Sequence, residues 1–356
     1  MVDDTQRSEF ELPPGDQRVG ATVSWPMSDV AAANVSVDTA APDVLEPSVD
    51  VVLAVDVGAT FFQAGLVTAR GTLLDRGRAP IEADVGPESN YTALALTVTE
   101  MLERAASRHG AVVRCLGLTS GGHVSRGLDE VSPLSVPSWS NFPLRARLEE
   151  LSGLDVYGDL DAKALALAEG WLGAAQGQPN FCAITVSAGV SGGIILDGDL
   201  LDGESGYAGQ IGHFIVEPGG RRCVCGTQGC LEAEASGQAI VAITGRPATE
   251  SSYQVMQRTG DFVGRAAASM CNSFDLSLVV VGGSVALGFG STFFHAAQVT
   301  LDELARLPYS RGARITPSRL GEQGPLVGAG AVGWRGLRRA ARRRTESRAT
   351  QPPKAR

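Results

Sequence analysis

Val51-Val52-Leu53-Ala54-Val55 is an unbroken apolar run, the pattern of a buried strand. Asp56-Val57-Gly58-Ala59-Thr60 follows as a turn, 61–67 as a second strand and Ala69-Arg70-Gly71 as the next turn. The same order returns later in the chain. A strand at 183–187 leads into the glycine-rich turn 188–193, then a strand at 194–196, the hairpin signal Asp197-Gly198, and Leu200-Leu201. With the two stretches aligned, Asp56 falls on Ser187 and Gly58 on Gly189. This predicts an internal repeat with one copy in each of two lobes.

Helical spacing of apolar residues predicts helices over 91–109, through Leu94, Leu96, Val98 and Leu102, and over 260–274. A third helix, over 161–172, is rich in Ala and Leu and opens with Asp161. A further apolar strand at 278–281 runs into Gly282-Gly283-Ser284, which suits close approach of a ligand such as a nucleoside. Alternating strands and helices imply an α/β fold. Glycine-rich hairpin turns expose backbone N–H groups and let a phosphate come close. Two such turns facing each other would hold a nucleotide triphosphate across an interlobe cleft, with Asp56, Gly58, Ala59 and Thr60 on one side. Ser187, Ala188 and Gly189 would lie on the other, and Gly282 and Gly283 at the nucleoside end.

Composition narrows the reading. The 356 residues suit roughly two domains, and 44% apolar content suits a sizeable core. Residues 1–50 hold 10 acidic and 2 basic side chains with no sustained period, so a disordered acidic N-terminal segment is expected. Residues 335–356 hold eight Arg, one Lys and one Glu and are expected to form a disordered basic tail. Between them the expected division is a first lobe at 51–163, with 325–334 packing back on it, and a second lobe at 164–324. A net charge of −9 argues against bulk attraction to nucleic acid. No apolar run reaches membrane-spanning length and no secretory signal is recognisable, so a cytoplasmic location with reduced cysteines is expected.

Six cysteines in that setting point to metal or core roles. Cys115, Cys182 and Cys271 sit in apolar surroundings. His213, Cys223, Cys225 and Cys230 form the compact set His-x9-Cys-x-Cys-x4-Cys, and three thiolates with one imidazole are the donors that structural zinc prefers. Four protein ligands leave no open position, so the zinc is expected to be structural and not catalytic.

The stretch Gly206-Tyr207-Ala208-Gly209-Gln210-Ile211-Gly212-His213, continuing to Cys223-Val224-Cys225-Gly226-Thr227-Gln228-Gly229-Cys230-Leu231-Glu232, resembles the ROK family over about 51–334. The resemblance implies an actin- and hexokinase-like two-lobed ATPase fold and an ATP-dependent sugar kinase using Mg2+. Its substrate would be a hexose or N-acylhexosamine, and a homodimer is a candidate assembly. It further implies that Asp161, in Leu160-Asp161-Ala162-Lys163, is the general base, and that Gly122, His123, Gln210, His213 and Glu232 line the sugar site. Placement at a helix start would keep Asp161 ionised near neutral pH. The loop around Gly282 reads closest to the N-acetylmannosamine kinase branch. The chain departs from the family pattern at Gln210 (Glu), Ala188 (Thr), Leu160 (Asn) and Phe61 (Lys). These departures define the alternative, a sugar-binding regulatory protein that has lost turnover.

Overall fold

The computed structural model describes residues 49–349. The acidic segment through residue 48, and 350–356 of the basic segment, lie outside the described residues.

The first lobe opens with an antiparallel meander, β1 (Asp50–Val57), β2 (Phe61–Thr68) and β3 (Leu73–Pro80), followed by α1 (Pro87–His109). Then come β4 (Val112–Ser120), the small hairpin β5 (His123–Val124) and β6 (Val131–Ser132), α2 (Leu144–Ser152) and β7 (Val156–Leu160). The linking helix α3 is Asp161–Leu172. The second lobe repeats the plan with β8 (Phe181–Val186), β9 (Val190–Leu196) and β10 (Asp199–Leu200). Helices α4 (Leu231–Ala235), α5 (Gly237–Thr244) and α6 (Tyr253–Phe274) precede β11 (Leu278–Gly282), α7 (Ser284–Leu304), β12 (Arg314–Pro317) and α8 (Gly324–Ala349).

The two five-stranded sheets have the same order, β3-β2-β1-β4-β7 and β10-β9-β8-β11-β12. In each, the first three strands pair antiparallel and the last two extend the sheet in parallel. The repeat legible at 51–71 and 183–201 is thus a repeat of whole sheets. Its residue match needs correction. The last paired residues of the first hairpin are Val57 and Phe62, and those of the second are Val186 and Val190. Aligned on strand ends, Val57 meets Val186, so Asp56 and Ser187 are not equivalent. The loops differ in length, which similar glycine content conceals.

Each lobe has its own core, one around Leu53, Val55, Leu94 and Trp139, the other around Ile184, Val263, Met270 and Phe293. Trp139 is buried and stacks on Phe142 at 4.5 Å, a packing role. Cys115, Cys182 and Cys271 are fully buried, and burial pushes the Cys115 thiol up to about 12, so all three are inert core residues.

Helix α8 packs on the first sheet through Leu326 and Ala329 against Ala54 and Val67, and crosses α3 where Gly328 meets Ala164. A Cβ on Gly117 of β4 would lie 2.0 Å from the Ala329 carbonyl, so the helix and sheet backbones approach too closely for any side chain there. The expected tail from 335 is corrected by this helix, which continues to Ala349. Arg335 and Arg339 lie one turn apart and both pair with Asp202, so part of the basic run has a folded partner that composition could not reveal. Among the described residues no helix is long and apolar enough to cross a membrane.

Candidate functional site

The carboxyl ends of β1, β4, β7, β8 and β11 open onto one cleft, where open α/β sheets place ligands. The cavity is about 720 Å3. Asp161, the first residue of α3, stands on its wall together with Asp56, Gly58, Ala59, Gly122, His123, Ser187, Ala188, Gly189, Gln210, His213, Glu232 and Gly283. Two expected phosphate-loop residues fall outside the lining. Thr60 is exposed and turns its carbonyl to the Ile81 N–H, and Gly282 is buried as the last residue of β11. Phe61 also lies away from the cleft, under the Arg78 guanidinium at 4.9 Å.

Asp161 Oδ1 accepts the Ala162 N–H at 2.7 Å and the Ser191 hydroxyl at 3.4 Å. Burial raises the Asp161 pKa above the ordinary carboxylate value, and the donors from Ala162 and Ser191 offset only part of that. The second carboxylate, Asp56, is the penultimate residue of β1, opposite Thr119 of β4, whose hydroxyl donates to it at 2.7 Å. Burial pushes Asp56 up to about 7, the Thr119 bond pulls it down and the charge of Asp161 pushes it further up.

The loop 187–189 is held from behind. Its Ser187 and Ala188 carbonyls accept the Gly237 and Gln238 N–H groups at the start of α5, and the Ser187 hydroxyl meets that of Ser284 at 3.1 Å. Glu232 accepts the Val190 N–H at 3.2 Å, and a Cβ on Gly189 would sit 3.0 Å from the same carboxylate. At Gly283 φ is +95° and a Cβ would lie 2.3 Å from the Val186 carbonyl, so only glycine fits between β11 and α7.

Next to the cleft, the ligand atoms of His213, Cys223, Cys225 and Cys230 all lie within 4.8 Å of one another. His213 Nδ1 is 3.6 Å from Cys223 Sγ, and Cys225 Sγ is 3.6 Å from Cys230 Sγ. Thiolates around tetrahedral zinc sit about 3.8 Å apart, so this donor set fits that ion. The loop closes through a bridge between Arg222 and Gln228, and Gly229 passes so near the Glu217 carbonyl that a Cβ would lie 1.7 Å from it. Cys230 caps α4, whose first turn carries Glu232, while His213 itself lines the cleft. The cluster therefore adjoins two cleft residues.

Several lining residues were not singled out from the sequence. Thr119 lies on β4, a strand the apolar pattern did not mark. Ser191 was read only as part of a turn. Gln238 lies on α5, and Leu134 and Ser135 lie in a loop without a motif. Only their shared place on the cleft wall picks them out.

A family model described as ROK family matches residues 52–333. The N-acetylmannosamine kinase of Shigella boydii is 35% identical over 255 residues, 67% of this chain and 84% of the relative. A ROK hexokinase from Thermus thermophilus superposes with a TM-score of 0.70 at 31% identity, covering 81% of this chain and 99% of that one. A ROK family glucokinase from Streptomyces griseus, solved with glucose and AMPPNP, gives a TM-score of 0.66 at 26% identity, covering 80% of this chain and 100% of that one.

Proposed function

The chain belongs to the ROK family, and on that premise we propose that it is an ATP-dependent sugar kinase acting on a hexose or N-acylhexosamine hydroxyl. One observation carries the reading. A partly buried carboxylate, Asp161, faces a cleft lined by the hairpin loops 58–59 and 187–189 and Gly283 together with Gly122, His123, Gln210 and Glu232. ATP would place its phosphates between the loops at 58–59 and 187–189, with the nucleoside toward Gly283 and Ser284. Asp161 accepts the proton of the sugar hydroxyl as that oxygen bonds to the γ-phosphorus and the bond to the bridging oxygen of ADP breaks. Its raised pKa suits a group that must take a proton and later release it. Mg2+ bound with ATP would neutralise charge on the phosphates, and Asp56, on the cleft wall, would help hold it. Zinc held by His213, Cys223, Cys225 and Cys230 would be structural. It would orient His213 and Glu232 without entering the reaction. A coupled ADP-release assay over a panel of hexoses and N-acetylhexosamines tests the reading. Sugar binding by calorimetry with no ADP released from any of them would make the chain a sugar-binding regulatory protein instead.

The Asp56 carboxyl, ordinarily near 3.8 and here pushed up to about 7, predicts a pH dependence. Below its pKa Asp56 is neutral and cannot help hold the metal–phosphate complex. The apparent kcat/KM for ATP should rise as pH increases through about 7, and Asp56→Asn should remove that limb of the profile. Stability should move the other way. A group whose folded pKa is raised is most favourable below its unfolded pKa, and that contribution fades as pH climbs through the folded value. Relative to the wild type, the Tm of Asp56→Asn should therefore gain between pH 4 and 7, which a thermal-shift series checks.

Gln210 is proposed to set sugar choice. It lies in the cleft three residues before His213, at the start of a short turn whose His213 N–H donates to the Gln210 carbonyl. Its neutral amide can donate to an acyl carbonyl, which a carboxylate cannot do. Gln210→Glu should shift the ratio of kcat/KM values from N-acetylmannosamine toward glucose by about 1–3 kcal/mol, the size of one changed buried hydrogen bond. Equal change on both sugars would remove Gln210 as the selector.

A further inference from the structure

Lys163 is 1% exposed, two residues beyond Asp161 on α3, in a place where lysine survives only when paired. Its ammonium donates to Asp202 Oδ1 at 3.1 Å and to the Gly206 carbonyl at 3.0 Å, and lies 3.1 Å from Asp159 Oδ1. Asp202 also accepts from Arg335 at 3.0 Å and from Arg339 at 2.6 Å. Partial burial works against ionisation of Asp202, yet the Arg339 and Arg335 guanidiniums hold it well below the usual carboxylate range. Strand β7, helix α3, the loop after β10 and the middle of α8 thus meet in one charge cluster.

That cluster stands at the base of the loop 202–208, which the Ala208 N–H closes onto the Asp202 carbonyl at 3.1 Å. The far side of the loop reaches the first lobe. The Tyr207 hydroxyl donates to the Val124 carbonyl, and Arg126 reaches the Glu204 carbonyl at 3.5 Å. Val124 follows His123, and Gln210 follows the loop after Gly209, whose Cβ would lie 2.3 Å from the Gly192 carbonyl. The loop therefore bridges the residues that line the sugar end of the cleft from both lobes.

We infer that Lys163, Asp202, Arg335 and Arg339 are positioning residues for the sugar end of the cleft, acting through the loop 202–208. The inference rests on the kinase reading for its substrate. Partly buried ion pairs add little net stability over apolar packing, but they hold the segments that carry them in one relative placement. Here those segments are the helix bearing the general base and the loop leading to Gln210.

The test uses the full chain with Arg339→Gln, Arg339→Lys and Asp202→Asn. The Arg339 side chain is 44% exposed, so its replacement should leave the fold intact. Arg339→Gln should raise the sugar KM roughly 3- to 10-fold, the net size of one hydrogen bond at a partly exposed site, with the KM for ATP unchanged. Arg339→Lys should restore most of the loss. Hydrogen exchange at amides 203–209 should quicken in Arg339→Gln and in Asp202→Asn and stay near wild type in Arg339→Lys. Equal movement of both KM values, or no movement with unaltered exchange, would overturn the inference. If the wild type released no ADP with any sugar, the kinase reading would fail by itself. Exchange at 203–209 and sugar affinity by calorimetry would then decide the positioning role, and no change in either would sink it.

Discussion

Replacing Asp161 with Asn is expected to lower kcat by about 10²–10⁴-fold, the usual contribution of a general base. The replacement is nearly isosteric. Its side-chain oxygen can still accept the Ala162 N–H and the Ser191 hydroxyl, so α3 should start where it does now. Binding of sugar and ATP, measured by calorimetry, should stay close to wild type, because only the proton acceptor has been removed. A second signature follows from burial. Because the Asp161 pKa is raised above that of an ordinary carboxylate, the acid limb of the wild-type kcat profile should lie at higher pH than a solvent-exposed Asp would give. The sign is fixed, since the base works only when ionised and falling pH protonates it first. An Asp161→Asn enzyme with undiminished turnover would assign the base elsewhere, and Asp56 would be the nearest carboxylate to test.

Loss of the metal should have the other large effect. Purified protein is expected to carry about one zinc per chain, and Cys225→Ser should destabilise it by several kcal/mol, because binding at a structural zinc site is coupled to folding. The thiols of Cys225 and Cys230 lie 3.6 Å apart, and an ion bound by all four donors would tie this loop to His213. Damage should spread into the cleft, since His213 is a ligand as well as a lining residue and Cys230 caps the helix that carries Glu232. A stepwise chelator titration should therefore lower Tm and sugar affinity together. Cys115→Ser, far from the cluster and fully buried, serves as a control that should keep its zinc. Metal-free protein with native Tm would disprove the structural role.

Local patterns in the chain carried much of this. The apolar run at 51–55 and its partner at 183–187 are β1 and β8, and Asp197-Gly198 makes its hairpin with φ of +51° and +81°. Asp161 does open a helix, and four ligands within eighteen residues do form one cluster. Each of these signals lies within a few residues of its own effect, so chemistry and spacing along the chain are enough to read it.

What only the tertiary structure decided depends on residues far apart in the chain. Strands β4 and β7 complete the first sheet, yet β4 carries Arg114 and β7 carries Tyr157 and Asp159, so neither shows a clean apolar run. Thr119 reaches Asp56 only because the two strands pair in parallel at that register. The ionisation of Asp161 illustrates the competition most directly. Its helix start favours the charge and its burial opposes it, and burial prevails because desolvation depends on everything packed around the group. The basic run after Trp334 looked like a solvated tail because its partner Asp202 lies more than 130 residues earlier. Sequence spacing determined the strands, turns and zinc ligands, since those interactions are local. Folding alone determined which charges meet and which are desolvated, since both depend on distances in space and not along the chain.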